Sequence, residues 1–600
     1  MWSEQKGHTK HLLSILLCLT LIHGGRAAYK STDLLRAPRV PVQLYQHLRR
    51  EEQAQIATAQ LYSTAGDHST LRFSTPVAPE YPAYTFDQRV SHFDDVPAPV
   101  ENETFKQRYW FNAEHYKPGG PVFLLDGGET NGEDRFPFLR QGVLEILSKA
   151  HNGIGIILEH RYYGESFPVE NLTTDSMRFL STEMSLLDSK YFAQNVKLPG
   201  VYHFNNSLAP WIYCGGSYAG AKAAFARKLY PDVFWGAIAS SAVTKAIAEF
   251  SEYYEPIRKS APQQCINLLI NHTNLIDQLL DLNNYAVTSS LKSLFGLPNV
   301  TMSDDFVNTL AAALGSWQGQ NWDPAVGSRE FDEFCDALTN AEVEVSSEVR
   351  DAHTGLKDGI NRFGWSWPSP KAFAKLAKYA QYIRTNVASL CPAEMRQDEC
   401  FGHEGVDLTG LEQSSWRSWT WQYCTEFGYF ITVSSHPRRP LLDCTPFCDV
   451  FQAHSFLRPP SQSSPEASER LVSRRIDVKY TRAICQKAFP DGTVVRMPTW
   501  PNVEKINKWG GYKIRAPRLA FVDGSRDPWL YATPHSPHAK DRKDSLEEPF
   551  KMIEGGVHHW DQNGRPRSEP GPIRAIHSQE IEFVGHWLRE WEERGRWRPE

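Results

Sequence analysis

The chain has 600 residues, more than one ordinary domain holds, and its 41% hydrophobic and 12% aromatic content is globular rather than disordered. A formal net charge of −6 offers no basic footprint for nucleic acid. The first segment carries Lys6, His8, Lys10 and His11, then an apolar run from Leu12 to Ile22, then Gly24, Gly25, Ala27 and Ala28. A basic start, a short apolar stretch and a small-residue exit predict a signal peptide over residues 1–27. Residues 28–80 are polar, with a predicted helix around Leu44–Leu61, and read as a propeptide or an N-terminal extension. No later segment is long and apolar enough to span a bilayer, so the expectation is an exported protein with no membrane association.

Strand-like runs follow at Val122–Asp126, Ile154–His160, Ile212–Gly215 and Ala237–Val243, separated early on by helix-like stretches. That alternation predicts a mainly parallel α/β sheet, with residues 81–247 as its first part. The third run ends in Gly215-Gly216-Ser217-Tyr218-Ala219-Gly220, and Ala221–Leu229 then reads as a helix. A serine enclosed by small residues between strand and helix is a nucleophile elbow, because larger neighbours would collide in so tight a turn. The usual last glycine is Ala219 here, which is still small. The residue after such a serine supplies one oxyanion-hole N–H, here Tyr218. The glycine loop after Val122–Asp126 is the expected source of a second, from Gly128 or Glu129.

Between about residues 248 and 505 the alternation stops. Amphipathic runs such as Cys265–Leu282 and Lys371–Leu390 predict a mainly helical cap inserted into an α/β-hydrolase core. Cys265, Cys335, Cys391, Cys400, Cys424, Cys444, Cys448 and Cys485 all fall there, an even set fit for four disulfides whose connectivity spacing does not reveal. Cys214, on the strand before the serine, is expected to be a buried free thiol. No Cys/His spacing of zinc type occurs, and neither a metal nor an organic cofactor is called for. Pro459–Pro465 reads as an exposed loop of the cap. Sequons stand at Asn102, Asn171, Asn205, Asn271 and Asn299, candidates for glycosylation in an exported chain.

Residues 506–600 return to the core. Leu519–Asp523 and Phe550–Ile553 read as strands, each running into a loop with chemistry: Asp523 and Asp527 after the first, His558 and His559 after the second. Serine, then acid, then histidine, each past the end of a strand, is the order of an α/β-hydrolase triad. The sequence alone leaves open which acid and which imidazole are used.

Several segments resemble the serine peptidases that include lysosomal prolyl carboxypeptidase and dipeptidyl-peptidase II, with secreted fungal relatives. They are Gly215–Gly220, Leu158-Glu159-His160-Arg161-Tyr162-Tyr163-Gly164-Glu165-Ser166, Gln422-Tyr423-Cys424-Thr425-Glu426, Asp527-Pro528-Trp529 and Gly556-Val557-His558-His559. The resemblance implies Ser217 as nucleophile, Asp527 as acid and His558 as general base, acting on short, proline-containing peptides. Exopeptidase action is expected, with an endopeptidase or an esterase of the same fold as alternatives. Trp421 and Trp529 are candidates to wall a proline pocket beside the bland reading of cap packing. Glu426 or Glu129 would suit a substrate ammonium, and Arg161 a carboxylate, unless Arg161 and Glu159 form a structural ion pair.

Overall fold

Central parallel strands are buried on both faces and so read as unbroken apolar runs. The computed structural model describes residues 81–93, 103–433 apart from 343, 363, 365–369, 403–407 and 411–412, and 469–596 apart from 566. The expected signal peptide, the 28–80 segment, Asn102, Cys444, Cys448 and the 459–465 loop lie outside the described residues. The strands are β1 (Tyr84–Arg89), β2 (Thr104–Asn112), β3 (Val122–Asp126), β4 (Ile154–Leu158), β5 (Trp211–Gly216), β6 (Phe234–Ser240), β7 (Ile247–Glu249), β8 (Gly428–Phe430), β9 (Leu519–Gly524) and β10 (Phe550–Ile553). Eight of them make one sheet in the order β1-β2-β4-β3-β5-β6-β9-β10. The β1–β2 and β2–β4 pairs are antiparallel, and every neighbouring pair from β4 to β10 is parallel. This is the α/β-hydrolase sheet.

Helices cover both faces. On one side α1 (Val143–His151) and the long C-terminal α8 (Gly571–Arg596) enclose Leu125, Ile157, Ile212 and Val522. On the other lie α2 (Thr182–Asn195) and α3 (Ser217–Leu229). The α3 sequence is rich in alanine, which favours the helix and lets it sit close to β5 and β6. Arg227 and Lys228 fall in its last turn, where cations suit the dipole, and Pro231 follows its end.

Between β6 and β9 the chain builds the expected helical cap, including α4 (Gln263–Asp281), α5 (Pro370–Asn386), α6 (Ser415–Gln422) and α7 (Val478–Ala488). Its apolar interior is continuous with the second face of the sheet: Phe250, Leu279, Phe331 and Tyr379 share one cluster with Tyr213 and Phe225. The short parallel pair β7–β8 joins the exit of β6 to the cap. Among the described residues three disulfides staple the cap, Cys265–Cys335, Cys391–Cys400 and Cys424–Cys485, and Cys214 is free and buried. No helix among the described residues is long and apolar enough to cross a membrane.

One feature was not anticipated, and one expectation needs correction. Strands β1 and β2 add an antiparallel edge that hydrophobic patterning does not announce, because β2 buries Gln107 and Arg108. Gln107 accepts from Gln88 at 2.9 Å and donates to the Glu159 carbonyl at 2.7 Å. Arg161 and Glu159 are both in buried ion pairs, but not with each other. Arg161 meets Asp188 through Nε at 2.5 Å, while Arg108 grips both Glu159 oxygens at 2.8 and 3.0 Å. The wholly buried Arg161 also donates to the carbonyls of Arg89, Val90 and Phe179, which leaves no free donor pair for a substrate carboxylate.

Arg161→Met takes from the buried Asp188 its guanidinium and leaves it His92 Nε2 at 2.8 Å, and is expected to cost about 3–5 kcal/mol in urea unfolding. Breaking the exposed Arg515–Glu548 pair with Arg515→Ala is expected to cost about 1 kcal/mol or less in the same assay.

Candidate active site

The elbow is built as the sequence suggests. β5 ends at Gly216, and Ser217 opens α3 with its backbone at φ +60°, a left-handed conformation uncommon for a residue with a side chain. The neighbours are small for steric reasons. A Cβ on Gly215 would sit 2.2 Å from the Ala219 carbonyl oxygen, one on Gly216 2.5 Å from Gln562 Oε1, and one on Gly220 2.5 Å from the Ser240 carbonyl oxygen.

Asp527 and His558 come together past the ends of β9 and β10. His558 Nδ1 lies 2.9 and 3.0 Å from the two Asp527 oxygens, and the Trp529 N–H donates to Asp527 Oδ1 at 2.9 Å. Both side chains are buried, and His558 Nε2 has no hydrogen-bond partner among the described residues. Asp523 goes elsewhere, to His535 Nδ1 at 2.7 Å, with the His535 ring stacked on Phe550. His559 turns towards β6 and the elbow: its N–H donates to Ser241 Oγ at 2.8 Å, and its ring closes over Gly216. The geometry thus pairs Asp527 with His558 and gives Asp523 a partner of its own in His535, while the His559 ring lies 4.6 Å from that of His558.

The loop after β3 is held by a buried carboxylate. Asp126 Oδ2 receives Lys222 Nζ at 2.5 Å and the Tyr213 hydroxyl at 2.8 Å, while Oδ1 accepts the Gly128 N–H at 2.9 Å. Burial opposes the Asp126 charge, but Lys222 and the hydrogen bonds more than offset it and hold the carboxyl below its usual range. The Gly128 N–H is thereby engaged, so Glu129 is the better of the two expected oxyanion donors. Burial raises the half-buried Glu129 carboxyl against the pull of Arg135 and of the nearby His558.

Tyr218 is fixed from behind. His160 Nδ1 is 2.6 Å from the Arg161 carbonyl, which can only accept, so that nitrogen carries the proton and Nε2 accepts from the Tyr218 hydroxyl at 3.0 Å. Burial and Lys222 push His160 down to about 3, which keeps it neutral. The Tyr218 N–H belongs to the first turn of α3, where N–H groups lack partners within the helix and the dipole favours negative charge.

A sequence profile of the family described as serine carboxypeptidase S28 matches residues 88–458. A probable extracellular serine carboxypeptidase of Arthroderma benhamiae is 38% identical over 530 residues, 86% of this chain and 69% of its own. The serine protease vicPa of Bipolaris victoriae is 26% identical over 84% of this chain and 88% of its own. The human thymus-specific serine protease is 25% identical over 82% and 84%. The chain belongs to the S28 family of serine peptidases. The profile match ends before Asp527 and His558, whose pairing rests on the geometry above.

The long motif of this S28 peptidase is an anchor rather than chemistry. Glu159 accepts from the Gly132 N–H, the Glu165 N–H and Ser166 Oγ as well as from Arg108. Gly164 is obligatory there, since with φ +58° its Cβ would sit 1.8 Å from Glu159 Oε1. The motif also docks the cap: the Tyr163 hydroxyl donates to Gln422 Oε1 at 2.5 Å, and Ser418 Oγ to the Tyr162 carbonyl at 2.8 Å. Two expected pocket residues belong to this docking. Glu426 accepts from the Thr182 N–H at 2.9 Å and its hydroxyl at 2.8 Å, capping α2 from across the interface. Trp421 is buried edge-on to Phe489 and donates to the Leu180 carbonyl at 3.1 Å. Trp421 was a candidate because it stands in an aromatic cluster, and Glu426 because it is an acid beside a family motif, but both are engaged in packing. Trp529 differs, adjoining Asp527 within a box of Phe250, Tyr253 and Tyr429. Sequence reasoning missed Tyr429, which Gly428 turns towards β6, and Gln318, which accepts from Trp529 Nε1 at 2.8 Å. The four sequon asparagines among the described residues, Asn171, Asn205, Asn271 and Asn299, are all exposed.

Glu426→Ala removes two hydrogen bonds at the start of α2. The expected outcome is a loss of about 1–3 kcal/mol in urea unfolding and faster proteolytic release of the cap.

Proposed function

We propose that this protein is an exported serine exopeptidase that cleaves after proline or a small residue, through an acyl-enzyme on Ser217. The observation that carries the reading is Ser217 held at φ +60° at the β5–α3 corner, with a buried Asp527–His558 pair at the ends of the neighbouring strands. In the mechanism, His558 Nε2 takes the hydroxyl proton as Ser217 Oγ attacks the scissile carbonyl, then delivers it to the leaving amine. Asp527 fixes the Nδ1–H tautomer and stabilises the imidazolium. The N–H groups of Tyr218 and Glu129 receive the oxyanion, helped by the α3 dipole. Water then enters and His558 repeats the transfer to release the acid product.

The aromatic box around Trp529 is the proposed seat of the residue before the scissile bond, a flat apolar surface suited to a pyrrolidine ring. The continuous cap restricts access to short peptides and free chain ends. Of the three charged residues considered for end recognition, Asp188 and Thr182 engage Arg161 and Glu426, which leaves Glu129 beside His558. A carboxylate there suits a substrate ammonium and release from the N-terminal side. The relative from Arthroderma benhamiae is described as a carboxypeptidase, which favours release from the C-terminal side. Its extracellular description supports export here.

Ser217→Ala is expected to lower kcat/KM by on the order of 10⁴ or more with the urea midpoint nearly unchanged, and Asp527→Asn by a similar order. Mass spectrometry of products from blocked and unblocked proline peptides tests the rest. Dipeptides or single residues released only from free ends support the exopeptidase and give its direction. Internal cuts in doubly blocked peptides would replace it by an endopeptidase, and turnover of the matched ester alone would replace it by an esterase.

A further inference from the structure

The loop that carries His558 is fastened to the end of β6 at two successive serines. Ser241 Oγ accepts the His559 N–H, and Ser240 Oγ donates to Asp561 Oδ1. From the other side His577 on α8 donates through Nε2 to the Asp561 carbonyl at 2.8 Å, while its Nδ1 lies 3.3 Å from Glu569 Oε2. Further along α8, Glu580 is wholly buried. Three of the four carboxyl oxygens of Asp561 and Glu580 are buried with no hydrogen-bond partner among the described residues. Asp561 also faces Asp523 on β9, His558 in its own loop and the Cys214 thiol on β5. Carboxylates so poorly provided with donors are costly to ionise, whereas neutral carboxyls are tolerated.

We propose that Asp561 and Glu580 form a proton-holding pair that positions the His558 loop. Protonated, both buried carboxyls are tolerated without further donors and the loop stays seated on Ser240. Ionised, they repel each other and the loop loosens. Both are positioning residues acting through the loop, and the inference rests on His558 being the base. Burial pushes the Asp561 carboxyl up to about 7 against the Ser240 hydrogen bond, with Asp523 adding to the rise. Burial and Asp561 raise Glu580 as well. Both groups bind protons more tightly in the folded state than in the unfolded one. Their contribution to stability is therefore full below the ordinary carboxyl range and is lost as pH rises through about 7.

The experiment compares wild type with Asp561→Asn, Glu580→Gln and Glu580→Met. One readout is the pH profile of kcat/KM on a cleaved proline peptide. The other is the urea midpoint against pH, with every chain also carrying Ser217→Ala. Wild type is expected to lose kcat/KM on the alkaline side through about pH 7. Asp561→Asn should move that limb upward by about one pH unit or more, and each substitution should flatten the fall of the urea midpoint. Alkaline limbs and midpoint slopes that match wild type would overturn the proposal. If Asp561→Asn does not fold, the Glu580 variants carry the urea-midpoint comparison. If wild type cleaves no peptide, the proposed function fails, and the urea series by itself decides whether the pair holds its proton.

Discussion

Ser217 has to occupy a left-handed backbone position that costs a side-chain-bearing residue roughly 1–2 kcal/mol. That strain persists only where the surroundings fix every neighbouring segment. Here the fixing is done by buried charge. Asp126 with Lys222 ties the loop after β3 to α3, and Glu159 with Arg108 ties β4 to β2. Arg161 with Asp188 ties the long motif to α2. Each pair is desolvated, and further hydrogen bonds reach it from backbone, hydroxyl, amide and imidazole groups. These pairs stabilise less than an apolar filling would, but losing one partner is costly, so they hold one geometry.

The cap depends on the same network. It docks through hydrogen bonds that begin on the core's motif and end on α6 and the turn after it, notably Tyr163 to Gln422 and Thr182 to Glu426. Residues 423–427 form a π-helical turn, an arrangement that often accompanies functional sites. It delivers Glu426 to α2 and leads into Tyr429, whose hydroxyl donates to the carbonyls of Val243 and Lys245. The elbow, the exit of β6 and the aromatic box are thereby one packed unit. Displacing the cap would disturb the backbone beside Ser217 and also uncover the cleft.

The parallel strands β3, β5 and β9 were legible because burial on both faces requires unbroken apolar runs. The elbow was legible because only small residues fit its contacts. β1 and β2 were hidden because Gln88, Gln107 and Arg108 are buried to satisfy one another and Glu159, so polar letters stand at interior positions. Trp421 and Glu426 misled for a related reason: residues that dock a cap and residues that touch substrate are the same chemical types.

By itself, the sequence determined the class of protein: an apolar strand, a serine among small residues, and an acid and a histidine past later strands admit few folds and one kind of chemistry. Only the tertiary structure decided which groups stand together. Asp523 and Asp527 are both acidic and follow the same strand, yet one faces His535 and the other His558. That choice depends on how the loops after β9 and β10 fold back across the sheet. It is a matter of angstroms between segments far apart in the chain, which residue order does not record.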